Sequence, residues 1–282
     1  MPTVTNASMK NTSVKKAVIL ARGLGTRMRK ADESATLDAA TAKVAESGVK
    51  AMIPTMGRPF LDFVLSALAD AGYTQVCLII GPEHDIVRDY YGKTHKPKRL
   101  TVDFAVQEKP LGTADAVRPA EAFAAGEPFL MINSDNYYPP EALTALRQSS
   151  APAVAVFHRD AMLQGNIPAD RISKFSAVIE NADGTMKQII EKPTDQQLAE
   201  LGDDIYVSMN CWLFGAEIFD ACRAIKPSPR GEYEITDAAQ YCIDSLGKKL
   251  KVHRIAAPVL DLSSRGDIAA VNDRLSKLAI NP

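Results

Sequence analysis

The sequence predicts an α/β fold: a mixed sheet flanked by helices, with a smaller antiparallel part. Three observations predict it. In the first half, short apolar runs alternate with segments whose apolar residues recur at helical spacing, a pattern of parallel strands joined by helical crossovers. In the second half, two strand-like runs flank Asn181-Ala-Asp-Gly184, a hairpin signal that adds antiparallel pairing. Glycines, arginines and isolated carboxylates fall just after the strand-like runs, where open α/β sheets place their ligand sites.

Residues 1–14 read as a polar tail, without the apolar stretch of a secretory signal. Residues 16–21 form a first short strand. Leu37, Ala40, Val44 and Val49 then recur at roughly helical spacing, so residues 29–49 read as a helical insertion, a lid or a surface helix. Phe60, Leu61, Val64, Leu65 and Leu68 define the next helix, which Gly72 stops. A buried strand follows at 75–80, then a helix containing Ile86, Val87 and Tyr90. Strands at 100–106, 129–133 and 153–157 are separated by helices at 113–125 and 140–148. The hairpin strands are 176–180 and 186–191, residues 206–214 form another strand, and the last helix runs from 266 to about 278.

The 282 residues (30.5 kDa) fit one large domain spanning 15–282. With 46% hydrophobic and 24% charged residues, the chain is not disordered, collagenous or a disulfide scaffold. Its 33 basic and 34 acidic residues leave a formal charge of -1, which argues against a nucleic-acid partner. No apolar run approaches the ~18 residues of a membrane span. Cys77, Cys211, Cys222 and Cys242 form no C-x-x-C pair and read as buried thiols in a reducing cytoplasm. His84, His95, His158 and His253 are scattered, without structural-zinc spacing.

The first strand runs into Arg22-Gly-Leu-Gly-Thr-Arg-Met-Arg29. Glycines there let the backbone approach an anion, and Arg27 adds a guanidinium suited to phosphate. The same turn also reads as a tight strand-to-helix connection. It is neither a Walker A loop nor a dinucleotide fingerprint. Further along come Lys50-Ala-Met-Ile-Pro-Thr-Met-Gly-Arg-Pro59, Gln107-Glu-Lys-Pro-Leu-Gly-Thr113-Ala-Asp-Ala-Val, Asn133-Ser-Asp135-Asn136, Glu191-Lys192-Pro193 and, inside a strand, Asn210.

This ordered set resembles the sugar-1-phosphate nucleotidylyltransferases. The first strand and glycine loop resemble that family's L-A-x-G-x-G-T-R-M. Residues 50–59 resemble K-x-x-x-P-x-x-G-[KR]-P, and residues 107–117 resemble Q-x-x-x-L-G-T-A. Glu191-Lys-Pro matches E-K-P, Arg230-Gly-Glu-Tyr-Glu-Ile-Thr-Asp237 resembles G-E-x-x-x-T-D, and Asp261-Leu-Ser-Ser resembles D-x-G-T. The resemblance spans roughly residues 15–275. It implies a Rossmann-like, glycosyltransferase-A-like nucleotidyltransferase fold and a transfer between an NTP and a sugar-1-phosphate that gives an NDP-sugar and pyrophosphate. By the same resemblance Arg27, Lys50, Asp135 and Lys192 are catalytic. Leu20, Ala21, Arg22, Gly23, Gly25, Thr26, Gln107, Gly112 and Thr113 meet the nucleotide. Ser176, Glu191, Lys192 and Asn210 meet the sugar phosphate, and Asp135 and Asp261 hold Mg²⁺. The absence of an obvious catalytic histidine is consistent, because a phosphate monoester with a second pKa near ~6 is already an anionic nucleophile.

Several of these residues also have plainer readings. Asp135 suits a turn before Pro139-Pro140, Asp261 a local turn, and Asn210 a satisfied core amide. Glu232 and Asp237 match the family but also suit a helix start, where carboxylates complement the dipole. The chain departs from the family pattern in four places. Arg22 stands where the hexose enzymes usually carry Ala or Gly, residues 29–49 are longer than usual, Ser176 replaces a glycine that lies against the sugar, and Asp261-Leu-Ser-Ser lacks its glycine. The resemblance favours dTTP or UTP with a hexose-1-phosphate. The alternatives are a cytidylyl-, adenylyl- or guanylyltransferase acting on a non-glucose sugar or cyclitol phosphate, and a non-catalytic nucleotide-sugar regulator. A glycosyltransferase fits less well, because residues 135–137 read Asp-Asn-Tyr rather than Asp-x-Asp. A homo-oligomer would be an analogy only.

Overall fold

The computed structural model describes residues 13–32, 35–150 and 152–282. Most of the expected tail, residues 1–12, lies outside the described residues. Val14, near the end of that tail, is buried and donates its N–H to the Arg147 carbonyl. In chain order the strands are β1 (Lys16–Leu20), β2 (Pro54–Thr55), β3 (Arg58–Pro59), β4 (Gln75–Ile80), β5 (Thr101–Val106), β6 (Phe129–Asn133), β7 (Asn136–Tyr137), β8 (Ala153–His158), β9 (Ser176–Glu180), β10 (Met186–Ile190), β11 (Tyr206–Phe214), β12 (Lys251–Ile255) and β13 (Leu260–Asp261).

The main sheet is mixed, in the order β10-β9-β11-β6-β1-β4-β5, with β8 also on β11 and β12 beyond β8. β1 pairs in parallel with β4 and β6, and β4 with β5. β1, β4 and β6 read as nearly unbroken apolar runs because helices cover both faces, whereas β5, at the sheet edge, is only partly buried. Alternation within them splits the core in two. Ala17, Ile19, Val76, Leu78, Leu130 and Ile132 face the helices Phe60–Ala71, Pro140–Gln148 and Asp267–Leu275. Val18, Cys77, Ile79, Phe129 and Met131 face Glu217–Ala224 and Ile235–Asp244. Trp212 is fully buried and stacks on Phe214 with ring centroids 5.4 Å apart.

Residues 113–125 do not form the single helix expected. Thr113–Val117 is α-helical, Arg118–Ala120 is a 3₁₀ turn, and Glu121–Ala124 is a separate short helix. Pro119 has no N–H to give the helical ladder, so the helix breaks there. Between residues 29 and 49 a helix runs over Ala39–Ser47. Asp38 caps it by accepting from the Thr41 N–H at 2.9 Å, and Gly48 closes it in the left-handed conformation.

β11 creates the space for a site. Its second half pairs with β6 and its first half with β9, while β8 runs along its other edge. Between Ser208 and Cys211 the register with β8 slips, and Asn210 sits there at φ 56°. Asparagine tolerates the left-handed region better than most residues, which suits it to this bulge. β6 and β9 thus share one edge of β11 and diverge at the bulge.

Candidate active site

The strand order reverses at β1, whose two neighbours lead the chain in opposite directions. The crevice beyond the carboxyl ends of the strands is where α/β sheets take ligands. Two clefts meet there, of ≈ 470 Å³ and ≈ 500 Å³, and Arg27, Thr113, Asn133, Asp135 and Glu232 line both. Leu20, Ala21, Arg22, Gly23, Gly25, Thr26, Gln107, Gly112, Thr113 and Lys50 line the first. Ser176, Glu191, Lys192, Asn210 and Asp261 line the second. The residues singled out from the sequence are therefore assembled in one trough.

The glycine loop is held from behind. Met28 is fully buried and anchors the turn Thr26–Arg29. Gly25, at φ 60°, packs backbone to backbone on Gly48, where a Cβ would lie 2.2 Å from the Gly48 carbonyl oxygen. The end of the inserted helix thus forms part of the wall, and Arg29 ties the two together by donating to the Ser47 carbonyl at 2.7 Å and 3.1 Å. Arg265, from the C-terminal region, donates to the Met28 carbonyl at 3.0 Å.

Arg22 is turned toward Gln107 and Glu83. Its guanidinium donates to the Gln107 carbonyl and, at 3.3 Å, to Glu83. Gln107 is 4% exposed, and its amide nitrogen donates to the Gly112 carbonyl at 3.1 Å and to Asp115 at 2.9 Å. These two bonds fix the amide so that its free capacity is the acceptor Oε1. Gly112 has φ 118° and lies against the Tyr233 backbone, where a Cβ would come within 2.5 Å. The Thr113 hydroxyl accepts from the Ile235 N–H at 2.8 Å, so the segment 230–237 docks on the segment 107–117.

Lys50 and Asp135 form an ion pair at 2.8 Å on the boundary of the two clefts. β7 pairs with β13, which sets Asp261 opposite Asn136 and brings it beside Asp135. Asn136 donates to Asp261 Oδ1 at 3.0 Å, Ser263 to Oδ2 at 2.8 Å, and Arg171 meets Oδ2 at 3.1 Å. Burial and the nearby Asp135 charge push the Asp261 carboxyl above its ordinary range. Among the described residues no cluster of three or more His, Cys, Asp or Glu side chains could hold a metal. Two adjacent carboxylates still fit Mg²⁺, a hard ion that takes one or two carboxylates and completes its shell with phosphate oxygens and water.

In the second cleft Glu191 is already engaged. Ser176 donates to its Oε2 at 2.5 Å, Thr236 to the same oxygen at 3.5 Å, and Arg230 to Oε1 at 3.4 Å. Lys192 is held at φ 46° immediately before Pro193. That is a costly backbone for a non-glycine residue, of a kind that clusters at functional sites. The Asn210 Oδ1 accepts from the Trp212 indole at 3.4 Å. Arg171 and Gly48 escaped the sequence reading, whereas Asn133, Ser134 and Ser263 lay inside segments it singled out but received no role there.

The comparisons with known proteins follow the same outline. The family model described as "Nucleotidyl transferase" matches residues 16–257. The chain is 27% identical over 262 residues to a UTP–glucose-1-phosphate uridylyltransferase of Haloferax volcanii, covering 93% of this chain and 96% of that protein. It is 29% identical to a glucose-1-phosphate thymidylyltransferase of Streptomyces griseus and 26% identical to a bifunctional GlmU protein of Methanococcus vannielii. The chain spans 65% and 48% of those two, respectively. A solved UDP-glucose pyrophosphorylase in complex with UDP-glucose superposes with a TM-score of 0.71 at 20% identity, over 94% of this chain and all of that one, and so has the same fold. The chain belongs to the nucleotidyl transferase family.

Proposed function

We propose that the trough transfers a nucleotidyl group from UTP or dTTP to a hexose-1-phosphate, giving an NDP-sugar and pyrophosphate. The observation that carries this reading is the Lys50–Asp135 pair on the line where the two clefts meet, with Asp261 beside it. One cleft takes the NTP and the other the sugar phosphate, so the reacting groups come together at that line. An oxygen of the sugar phosphate attacks the α-phosphorus, the bond from that phosphorus to the bridging oxygen breaks, and pyrophosphate leaves with the electron pair. The nucleophile is already anionic, so the demand is for positioning and charge neutralisation rather than a base.

Arg27 and Lys50 would hold the triphosphate and neutralise the departing pyrophosphate. Lys192 would hold the sugar phosphate at the opposite side. Asp135 and Asp261 would hold Mg²⁺, which supplies Lewis-acid stabilisation of the phosphoryl oxygens. Gln107 supports the choice of base. Its fixed amide offers an acceptor, which suits the imino N–H of uracil or thymine. The names of the relatives point the same way.

One observation bears on which sugar is taken. The Ser176 hydroxyl already occupies Glu191, the carboxylate expected to receive sugar hydroxyls. We also place the enzyme in the cytoplasm, because its four cysteines are free and buried. No helix of the described residues is long and apolar enough to cross a membrane. Pyrophosphate release across ATP, CTP, GTP, UTP and dTTP, each with a panel of sugar-1-phosphates, tests the reading. Release with UTP or dTTP that requires both the sugar phosphate and Mg²⁺ supports it. Release that ignores the sugar phosphate overturns it.

A further inference from the structure

We infer that Arg171 sets the divalent-cation affinity of the site by holding Asp261 as a built-in competitor of the metal. The inference rests on the reading of Asp135 and Asp261 as the metal-holding pair. At rest each of these carboxylates is matched by a protein cation, Asp135 by Lys50 at 2.8 Å and Asp261 by Arg171 at 3.1 Å. Arg171 is well placed to compete. Its side chain is 17% exposed, and it is anchored by a two-pronged pair with Asp267 at 3.2 Å and 3.3 Å.

Asp267 is itself locked to the loop that carries Asp261. It accepts from the Ser263 N–H at 3.1 Å, the Ser264 N–H at 2.7 Å and the Ser264 hydroxyl at 2.9 Å. The guanidinium is therefore fixed beside Asp261 rather than free to drift away. The buried Arg171 Nε has no partner among the described residues, so the side chain carries an unmet donor in exchange for bridging the two acids. A divalent ion that takes Oδ2 of Asp261 must displace one arm of this fork, and one that takes Oδ1 must displace the Asn136 donor and still tolerate the positive neighbour. A carboxylate already paired and hydrogen-bonded is a poorer ligand than a free one, and a fixed like charge raises the cost further. The nucleotide-free protein consequently binds the ion weakly, and the site gains strength once a triphosphate draws Lys50 away from Asp135 and adds its own negative charge.

The test is direct binding of Mn²⁺ to the full chain without nucleotide, read from the electron paramagnetic resonance signal of the free ion. Arg171→Gln removes the charge and frees Asp261, and should tighten Mn²⁺ binding by about tenfold. Arg171→Lys keeps a charge but cannot bridge two carboxylates in the same way, and should tighten binding to an intermediate degree, about threefold. A purely structural role for Arg171 predicts the opposite sign, because a disordered site binds more weakly. Unchanged or weaker binding in a folded Arg171→Gln protein, or in Arg171→Lys should the glutamine variant fail to fold, overturns the inference. Asp261→Asn in the Arg171→Gln background should remove the gain. If Asp135→Asn and Asp261→Asn each bind Mn²⁺ as well as the parent does, the metal-pair reading itself fails, an outcome distinct from failure of the competitor role.

Discussion

Gly25→Ala should cripple the enzyme, whereas Gly23→Ala, two residues away, should leave its fold intact. The added methyl at Gly25 would lie 2.2 Å from the Gly48 carbonyl oxygen and 2.6 Å from its Cα, whereas ordinary contact begins at 3.4 Å. The glycine loop and the end of the helix Ala39–Ser47 must then separate by roughly an ångström, the difference between 2.2 and 3.4 Å. Residue 25 also sits at φ 60°, where a residue with a Cβ loses about 1–2 kcal/mol. Adding an overpacking cost of about 1–3 kcal/mol gives a destabilisation of about 2–5 kcal/mol. A shift of about 1 Å in groups that position reacting atoms can cost roughly 10²-fold in rate. Thr26 and Arg27 follow directly on Gly25, so they would move with it. At Gly23 nothing lies within 4 Å of an added Cβ, and its φ is not positive. Thermal melts and steady-state pyrophosphate release on both variants check the contrast. Gly25→Ala should melt roughly 5–10 °C lower and lose about two orders of magnitude in kcat/KM, whereas Gly23→Ala should melt with the parent. Equal melting temperatures for the two variants would refute the backbone contact between Gly25 and Gly48 as the feature that sets the loop.

Other perturbations separate the remaining roles. Gln107→Leu should raise KM for the NTP by about 10–100-fold with little change in kcat, since it removes a fixed acceptor and leaves the Gly112 carbonyl and Asp115 without their donor; equal effects on KM and kcat would point to a structural role. Ser176→Gly frees one site on Glu191 and should lower KM for a fully hydroxylated hexose-1-phosphate by about threefold, read by steady-state kinetics; an unchanged KM would mean that Glu191 does not meet the sugar. Burial holds His84 and His253 below the ordinary imidazole value of 6.5. The unfolded chain therefore takes up protons that the folded one resists, so the stability present above pH 6.5 is lost as the pH falls. The slope is at most about 1.4 kcal/mol per pH unit for each histidine. A His84→Asn, His253→Asn double variant should lose less stability than the parent between neutral and mildly acidic pH in denaturant titrations, and parallel curves would remove the assignment.

Much of this architecture was legible in local pattern. β1, β4, β6 and β11 are runs of apolar residues buried on both faces, and such runs are visible without any partner. The glycine loop, Lys50, Gln107, Asp135 and the Glu191-Lys192 pair stood out because their chemistry is wasted in a core. What escaped depends on distant contacts. β12, Lys-Val-His-Arg-Ile, has no clear apolar alternation and becomes a strand because β8 offers it an edge. β7 and β13 are two-residue strands with no periodicity of their own, yet their pairing places Asp261 beside Asp135. Arg171 lies on the short helix Ala169–Ile172, and its partners Asp261 and Asp267 are far along the chain, so nothing local marked it. The break near Pro119 was readable in principle, because a proline within a run of helical pattern removes a ladder donor.

The most direct test of the transfer is ³¹P nuclear magnetic resonance of the protein with Mg²⁺, UTP or dTTP, and a hexose-1-phosphate, followed as the reaction proceeds. Loss of the sugar phosphate signal should be matched one for one by a new diphosphate diester pair and by free pyrophosphate, and Asp135→Asn should abolish all three changes together. Release of inorganic phosphate or pyrophosphate while the sugar phosphate signal stays constant would contradict the transfer and leave the trough as a nucleotide-hydrolysing or nucleotide-binding site.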